Sequence, residues 1–410
     1  MLLPTLTTLL SLACASAAIV RRGFDAPHYS IYLNDEFSYD AWPGPDKIKP
    51  YNRALMAFWQ TDGAVATPAS WQSFTDEQRQ AILSAYHGAG IALMVSAFGD
   101  ADKVISRKTD PVATAQAIAA WVKKYAVDGV DIDLEDFTPL QNERDFSLDW
   151  LTKFHTELAA QLPGAPISST PTAWMYGSAF GSADSVYCKL HAAVGDKISW
   201  YQLQLYNGQK GAWNTCENTL WNSSDAAFLS LGQVASMCGI PQSSITVGRL
   251  WDPTDLATPD SRDQIPAPAD NGACIAQAKA HGYPGTGMMV WSAHKNDWAG
   301  AIDYLTGTLA GIEAAPAVSP AANSSTTPSP SAAGDTTGNT ASGVSVSSHS
   351  SGQPSAPSGS AAAASSKAST SGTAMAAGTS QGASASSAAT QAMPAAALAV
   401  AAIALFTQVL

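Results

Sequence analysis

Between Val127 and Phe137 the chain reads V-D-G-V-D-I-D-L-E-D-F. Asp131, Asp133 and Glu135 alternate there with Val130, Ile132 and Leu134. A β-strand has a side-chain period of two, so the three acids share one face and the three aliphatics the other. Gly129 opens this run after a helix-like segment, as at the start of a buried strand. A solvated edge strand gives the same alternation, and is the bland alternative. If the strand is buried, three carboxylates on one face repel each other and lose hydration. At least one then holds its proton near neutral pH. A protonated acid beside an ionised one is suited to cleaving glycosidic bonds.

The surrounding sequence supplies a fold that can hold such a strand. Strand-like apolar runs occur at Tyr29–Leu33, Ala54–Trp59, Ala92–Phe98, Val130–Glu135, Ile167–Thr172, Tyr201–Tyr206, Ile245–Leu250 and Gly287–Trp291. Helical periodicity falls between several of them, over Asp76–His87, Pro111–Tyr125, Phe146–Leu162 and Asp270–His281, the last a candidate final helix. Strand–helix alternation implies parallel β/α units, and eight of them close a barrel. The expected fold is therefore an α/β protein, a (β/α)8 TIM barrel over residues 25–313. An open doubly wound sheet is the alternative, but no Gly-rich phosphate turn follows the first strand. In a barrel the fourth strand points Glu135 toward the C-terminal mouth, with Asp133 and Asp131 successively deeper.

The segment Asp128, Gly129, Asp131, Asp133, Glu135 resembles the D-G-x-D-x-D-x-E signature of glycoside hydrolase family 18, the chitinases and endo-β-N-acetylglucosaminidases. The resemblance covers the barrel, about two thirds of the chain. It implies retaining, substrate-assisted hydrolysis with Glu135 as acid and base and Asp133 orienting the substrate acetamide. Asp131 then shares a proton with Asp133. Gln204, Tyr206 and Asn207, in Q-L-Q-L-Y-N at the sixth strand end, match a family segment whose tyrosine holds the acetamide. Trp291, ending the eighth strand, matches a tryptophan that floors the sugar. Trp59 and Trp174, with Trp251, stand at presumed strand ends as candidate stacking walls. Each of these aromatics is also readable as ordinary core packing. The third strand ends Ser96-Ala97-Phe98-Gly99, where the family commonly has S-x-G-G, so Phe98 is a departure.

The implied substrate is chitin, with the chitobiose core of N-glycans as the alternative bond and non-catalytic chitin binding as a third reading. The loops 61–74 and 252–270 are candidate cleft walls. The formal net charge is −12, which argues against nucleic acid or an anionic membrane surface as partner. No CxxC or histidine cluster suggests a metal, and no cofactor is expected. The protein is expected to be a monomer.

The ends of the chain point to export. Residues 1–18 read as a signal peptide: Leu2–Cys14 is apolar, Ala15-Ser16-Ala17 is a cleavage pattern, and a basic n-region is missing. Arg21-Arg22 resembles a dibasic processing site. Residues 315–390 form a Ser/Thr/Ala-rich stretch that cannot bury enough surface to fold, and read as a disordered, O-glycosylated stalk. Residues 391–410 end in an apolar run, Ala395–Leu410, preceded by small residues and a polar spacer. That order matches the signal for a glycosylphosphatidylinositol anchor, which implies an extracellular location at the cell surface. A marginal membrane span is the alternative. Asn222-Ser223-Ser224 and Asn323-Ser324-Ser325 are N-glycosylation patterns. Once Cys14 leaves, Cys188, Cys216, Cys238 and Cys274 remain; two disulfides are expected, with three possible pairings.

Overall fold

The computed structural model describes residues 25–293 and 297–316. The expected signal peptide, stalk, anchor signal and Asn323 pattern lie outside these residues. The described chain is a closed barrel of eight parallel strands in sequence order. The strands are β1 (His28–Leu33), β2 (Arg53–Trp59), β3 (Ala92–Gly99), β4 (Gly129–Leu134), β5 (Ile167–Ser169), β6 (Trp200–Gln204), β7 (Ile245–Leu250) and β8 (Gly287–Ala293). Closure pairs β1 with β8, Tyr29 opposite Met288.

The helices are α1 (Ala66–Ser73), α2 (Asp76–Gly88), α3 (Pro111–Tyr125), α4 (Phe137–Asn142), α5 (Arg144–Gln161), α6 (Val186–Val194), α7 (Leu231–Cys238), α8 (Pro268–Ala278) and α9 (Trp298–Ala314). Their ends carry local signals. Thr75 and Gln78 form a capping box on α2, and Ser230 and Gln233 form one on α7. Asp110 caps α3, with Pro111 at its first position. The helix expected over Asp270–His281 is not the last, because α9 follows β8. Helices α6 and α7 are short, nine and eight residues, and their local periodicity is correspondingly weak. The fifth strand is shorter than expected, since Pro171 has no N–H to continue the ladder.

Two apolar layers follow from the alternation. Val130, Ile132 and Leu134 face outward into the main core between barrel and helices. Burying each stabilises by about 1.5–3 kcal/mol. A smaller cluster fills the barrel, built from Tyr32, Leu55, Ala57, Met94, Trp200, Tyr206, Leu250 and Met289. At its base the His28 ring stacks on Trp200 at 4.2 Å, beside Arg53. Burial, then the charge of Arg53, pushes His28 down to about 3, so it stays a neutral packing group. The interior is thus a packed core and not a pore.

Two disulfides join the outer helices. Cys188 of α6 pairs with Cys238 of α7, and Cys216 pairs with Cys274 of α8.

Candidate active site

Asp131, Asp133 and Glu135 rise on the inner face of β4 toward the mouth. Their surroundings differ by level. Asp131 is fully buried, and five donors converge on it. Its Oδ2 accepts from Tyr32 Oη at 2.7 Å and Ser96 Oγ at 2.8 Å. Its Oδ1 accepts from Ser168 Oγ at 2.6 Å, Thr170 Oγ1 at 2.7 Å and Gln202 Nε2 at 3.0 Å. A carboxylate offers about four lone-pair positions, so this one is saturated. From the sequence, Asp131 is expected to share a proton with Asp133; its hydrogen bonds run to β1, β3, the β5 segment and β6.

Asp133, one level up and 3% exposed, is linked upward instead. Gln204 Nε2 donates to Asp133 Oδ1 at 2.8 Å, to Glu135 Oε1 at 3.2 Å and to the Thr170 carbonyl at 3.0 Å. The backbone carbonyl can only accept, which identifies the facing atom as the amide nitrogen. Three acceptors therefore compete for two hydrogens. Burial holds Asp133 well above the usual carboxylate range; the charges of Glu135, Asp131 and Asp100 add to this, and Gln204 opposes it. Glu135 keeps part of its surface open at the mouth. Burial pushes it up to about 7; Gln204 pulls it down, Asp100 pushes it up and Lys103 pulls it down. Burial and mutual charge thus favour keeping a proton within the Asp133–Glu135 pair near neutral pH, directly above Asp131 and its five donors.

Tyr206 and Trp291 stand on the inner wall around this pair. Tyr206 is 6% exposed and belongs to the inner cluster, with Trp291 packed against it. Burial pushes its phenol up, and the charges of Asp133 and Glu135 add to this, so it remains a neutral donor. Trp291 lies half-buried, stacked on Phe58 at 5.8 Å and tilted against Tyr32 at 5.2 Å. These rings form an apolar floor beside the acids.

Other singled-out residues lie elsewhere. The β2–β3 register slips between Met56 and Trp59. Phe58 consequently packs at the inner wall, while Trp59 is buried in the outer layer against Phe98 at 6.3 Å. Trp174 is half-buried between Phe137 at 4.5 Å and Phe180 at 5.2 Å, on the rim beyond Glu135. Asn207 accepts from the Ala257 N–H at 3.0 Å, so its carbonyl tethers the loop after β7. Trp251 donates to the Ser292 carbonyl at 2.7 Å, joining β7 to β8.

Phe98 occupies a left-handed backbone position, φ +79°, that glycine adopts without penalty. Its ring turns outward to Phe154 at 5.5 Å and Trp150 at 6.2 Å. The following Gly99 has φ +63°, and a Cβ there would lie 2.8 Å from the Phe58 ring. Phe98 thus anchors the end of β3 to α5 from a backbone position that suits glycine.

Sequence reasoning passed over Tyr32, Ser96, Ser168, Thr170 and Gln202. Each sits at an inward position of its strand or just beyond it. A hydroxyl or amide in an otherwise apolar barrel run is the signal that marks them, because a buried polar group requires a partner.

Fold and site together define a (β/α)8 barrel with a ladder of three acids ending at its mouth. No protein-family model matches the chain, and no curated protein sequence matches it significantly. Solved structures do match. One is a GH18 chitinase from Pseudoalteromonas aurantia, with TM-score 0.50 and 21% identity over 67% of this chain and 98% of that one. Another is a fungal endo-β-N-acetylglucosaminidase from glycosyl hydrolase family 18, with TM-score 0.52 and 15% identity over 70% and 98%. At these identities the likeness is one of fold.

Proposed function

We propose that this barrel is a glycoside hydrolase of the family 18 type that cleaves β-1,4-linked N-acetylglucosamine polymers, chitin foremost. The single observation that carries this is Glu135: a carboxyl pushed up to about 7 at the barrel mouth, bridged by Gln204 to a second carboxyl beneath it. A general acid works best when its pKa lies near the working pH.

The proposed reaction gives each level of the ladder a role. Glu135 gives its proton to the leaving glycosidic oxygen. The substrate's 2-acetamido oxygen attacks the anomeric carbon as that C–O bond breaks, forming an oxazolinium intermediate with retained geometry after the second step. Asp133 and the Tyr206 hydroxyl hold the acetamide. Glu135, now a carboxylate, takes a proton from water, which opens the intermediate. Asp131 supports Asp133 from below, itself held by five hydrogen bonds from the neighbouring strands. Trp291 offers its face to the apolar side of the sugar.

We further propose export and a lipid-anchored position at the cell surface. The signal-like N-terminus, the small–polar–apolar order of the C-terminus and the paired cysteines support it.

The test is to incubate the purified protein with chitin oligomers and with a high-mannose glycopeptide, reading products by mass. Shortened chitin oligomers are expected. Cleavage of the glycopeptide between its two core sugars would move the substrate to N-glycans. Binding to either without cleavage would overturn the hydrolase reading.

A further inference from the structure

The loop from β3 to α3, residues 100–110, is fastened to the end of β4 at two successive residues. Lys103 Nζ donates to the backbone oxygen of Glu135 itself at 2.9 Å and to Asp100 Oδ1 at 2.8 Å. The same ammonium lies 5.5 Å over the Phe137 ring. Three residues on, Ser106 donates from its N–H and its hydroxyl to the two oxygens of the buried Asp136, each at 2.6 Å. The loop is in turn tied to the chain after β2, where Asp102 accepts from the Thr61 N–H at 2.7 Å. The peptide that carries the mouth acid is thus gripped from one side by a single loop, and a lysine supplies the grip on Glu135.

Asp100 and Lys103 are 36% and 39% exposed, so they stand at the rim and not in the buried ladder. Their opposite charges reach the same group. The groups facing Glu135 are Asp133 from β4, Asp100 and Lys103 from this loop, Tyr206 from the β6 side and Tyr187 from α6. Burial pushes both phenols up, so neither changes charge near neutrality.

We propose that Asp100 and Lys103 are a positioning pair for Glu135: the lysine anchors the acid's backbone, and the two opposed charges set the pH range in which the acid is competent. This rests on the reading of Glu135 as general acid, and it adds two residues outside the signature strand.

The test measures kcat, KM and the pH profile of chitin-oligomer hydrolysis for the full chain and four variants. Asp100→Asn removes a negative charge, so the alkaline limb of kcat/KM should move down, by about half a pH unit for a rim charge in a water-like dielectric. Lys103→Met removes a positive charge, so the limb should move up by a similar amount, and kcat should fall several-fold while KM holds. Lys103→Arg should keep both limb and kcat close to wild type. The double variant Asp100→Asn/Lys103→Met should return the limb toward wild type while kcat stays low. Added salt should shrink both single shifts. Limbs that stay put, or that move in the same direction in both single variants, would overturn the proposal, since simple loosening of the loop does not produce opposite signs. A wild-type chain that hydrolyses nothing would overturn the reading of Glu135, and this inference with it.

Discussion

The Gln204 amide on β6 stands 3.2 Å from the Glu135 carboxylate just past the end of β4, 69 residues away in sequence. The same nitrogen reaches Asp133 and the Thr170 carbonyl. One side chain thereby ties two acids that would otherwise repel, and it is the largest influence holding Glu135 back from a still higher pKa. Gln204→Leu should raise the alkaline limb of the pH–rate profile and lower kcat by about 10–100-fold, as one charge-assisted donor is lost. Unchanged kinetics in this variant would show that the bridge is idle during turnover.

Glu135→Gln keeps the size and the hydrogen-bonding reach of the side chain but cannot transfer a proton. Its kcat should fall by at least about 10³-fold. Circular dichroism should show the fold intact. Measurable turnover near the wild-type rate would remove Glu135 from the mechanism.

Stability should depend on pH in a direction set by the upper two acids. Glu135 titrates near 7 in the fold against an ordinary glutamate value when unfolded, and Asp133 is displaced in the same direction. The folded state therefore binds more protons than the unfolded one across that interval. Stability is fully present below the unfolded pKa of about 4.3 and is lost as pH rises through 7. The loss from Glu135 alone is at most about 4 kcal/mol. Urea midpoints at pH 5 and pH 8 measure it. Asp133→Asn and Glu135→Gln should flatten the slope and be more stable than wild type at pH 8.

Asp131 should behave oppositely, although it lies two residues from Asp133. Asp131→Ala would strand the hydroxyls of Tyr32, Ser96, Ser168 and Thr170 and the Gln202 amide in the barrel interior. We expect a loss of about 3 kcal/mol or more, read as a lowered urea midpoint at every pH. A stable Asp131→Ala protein would mean that the five donors find other partners.

Phe98 separates two effects of comparable size. Its left-handed backbone costs about 1–2 kcal/mol relative to glycine, while removing its buried ring costs about 3–5 kcal/mol. Packing outweighs strain, so Phe98→Gly should be destabilised. Phe98→Ala, which loses the ring and keeps the strained backbone, should be destabilised further by about 1 kcal/mol. The reverse order in thermal melts would argue against the left-handed backbone.

Much of the barrel is written locally. The period-two alternation of Val130–Glu135 and the helical periodicity of Pro111–Tyr125 are properties of short stretches, and the structure has a strand and a helix there. Short helices such as Val186–Val194 and Leu231–Cys238 were not legible, because their few turns draw stability from packing against the barrel. Asp131, Asp133 and Glu135 could be singled out together because they sit on one strand, where the side-chain period alone places them on one face.

What the acids touch was decided elsewhere. The donors to Asp131 come from β1, β3, the β5 segment and β6, as many as 99 residues distant. Whether Phe58 or Trp59 faces the interior depends on a one-residue slip against β3. Lys103 reaches the Glu135 carbonyl only because a loop folds over the strand end. The sequence by itself determined which face of β4 carries charge and that eight β/α units follow one another, since both arise from backbone periodicity. The tertiary structure decided which acid takes five hydrogen bonds, which is raised and which aromatic packs at the inner wall. Those outcomes depend on strand register and burial, and no local stretch of chain encodes either.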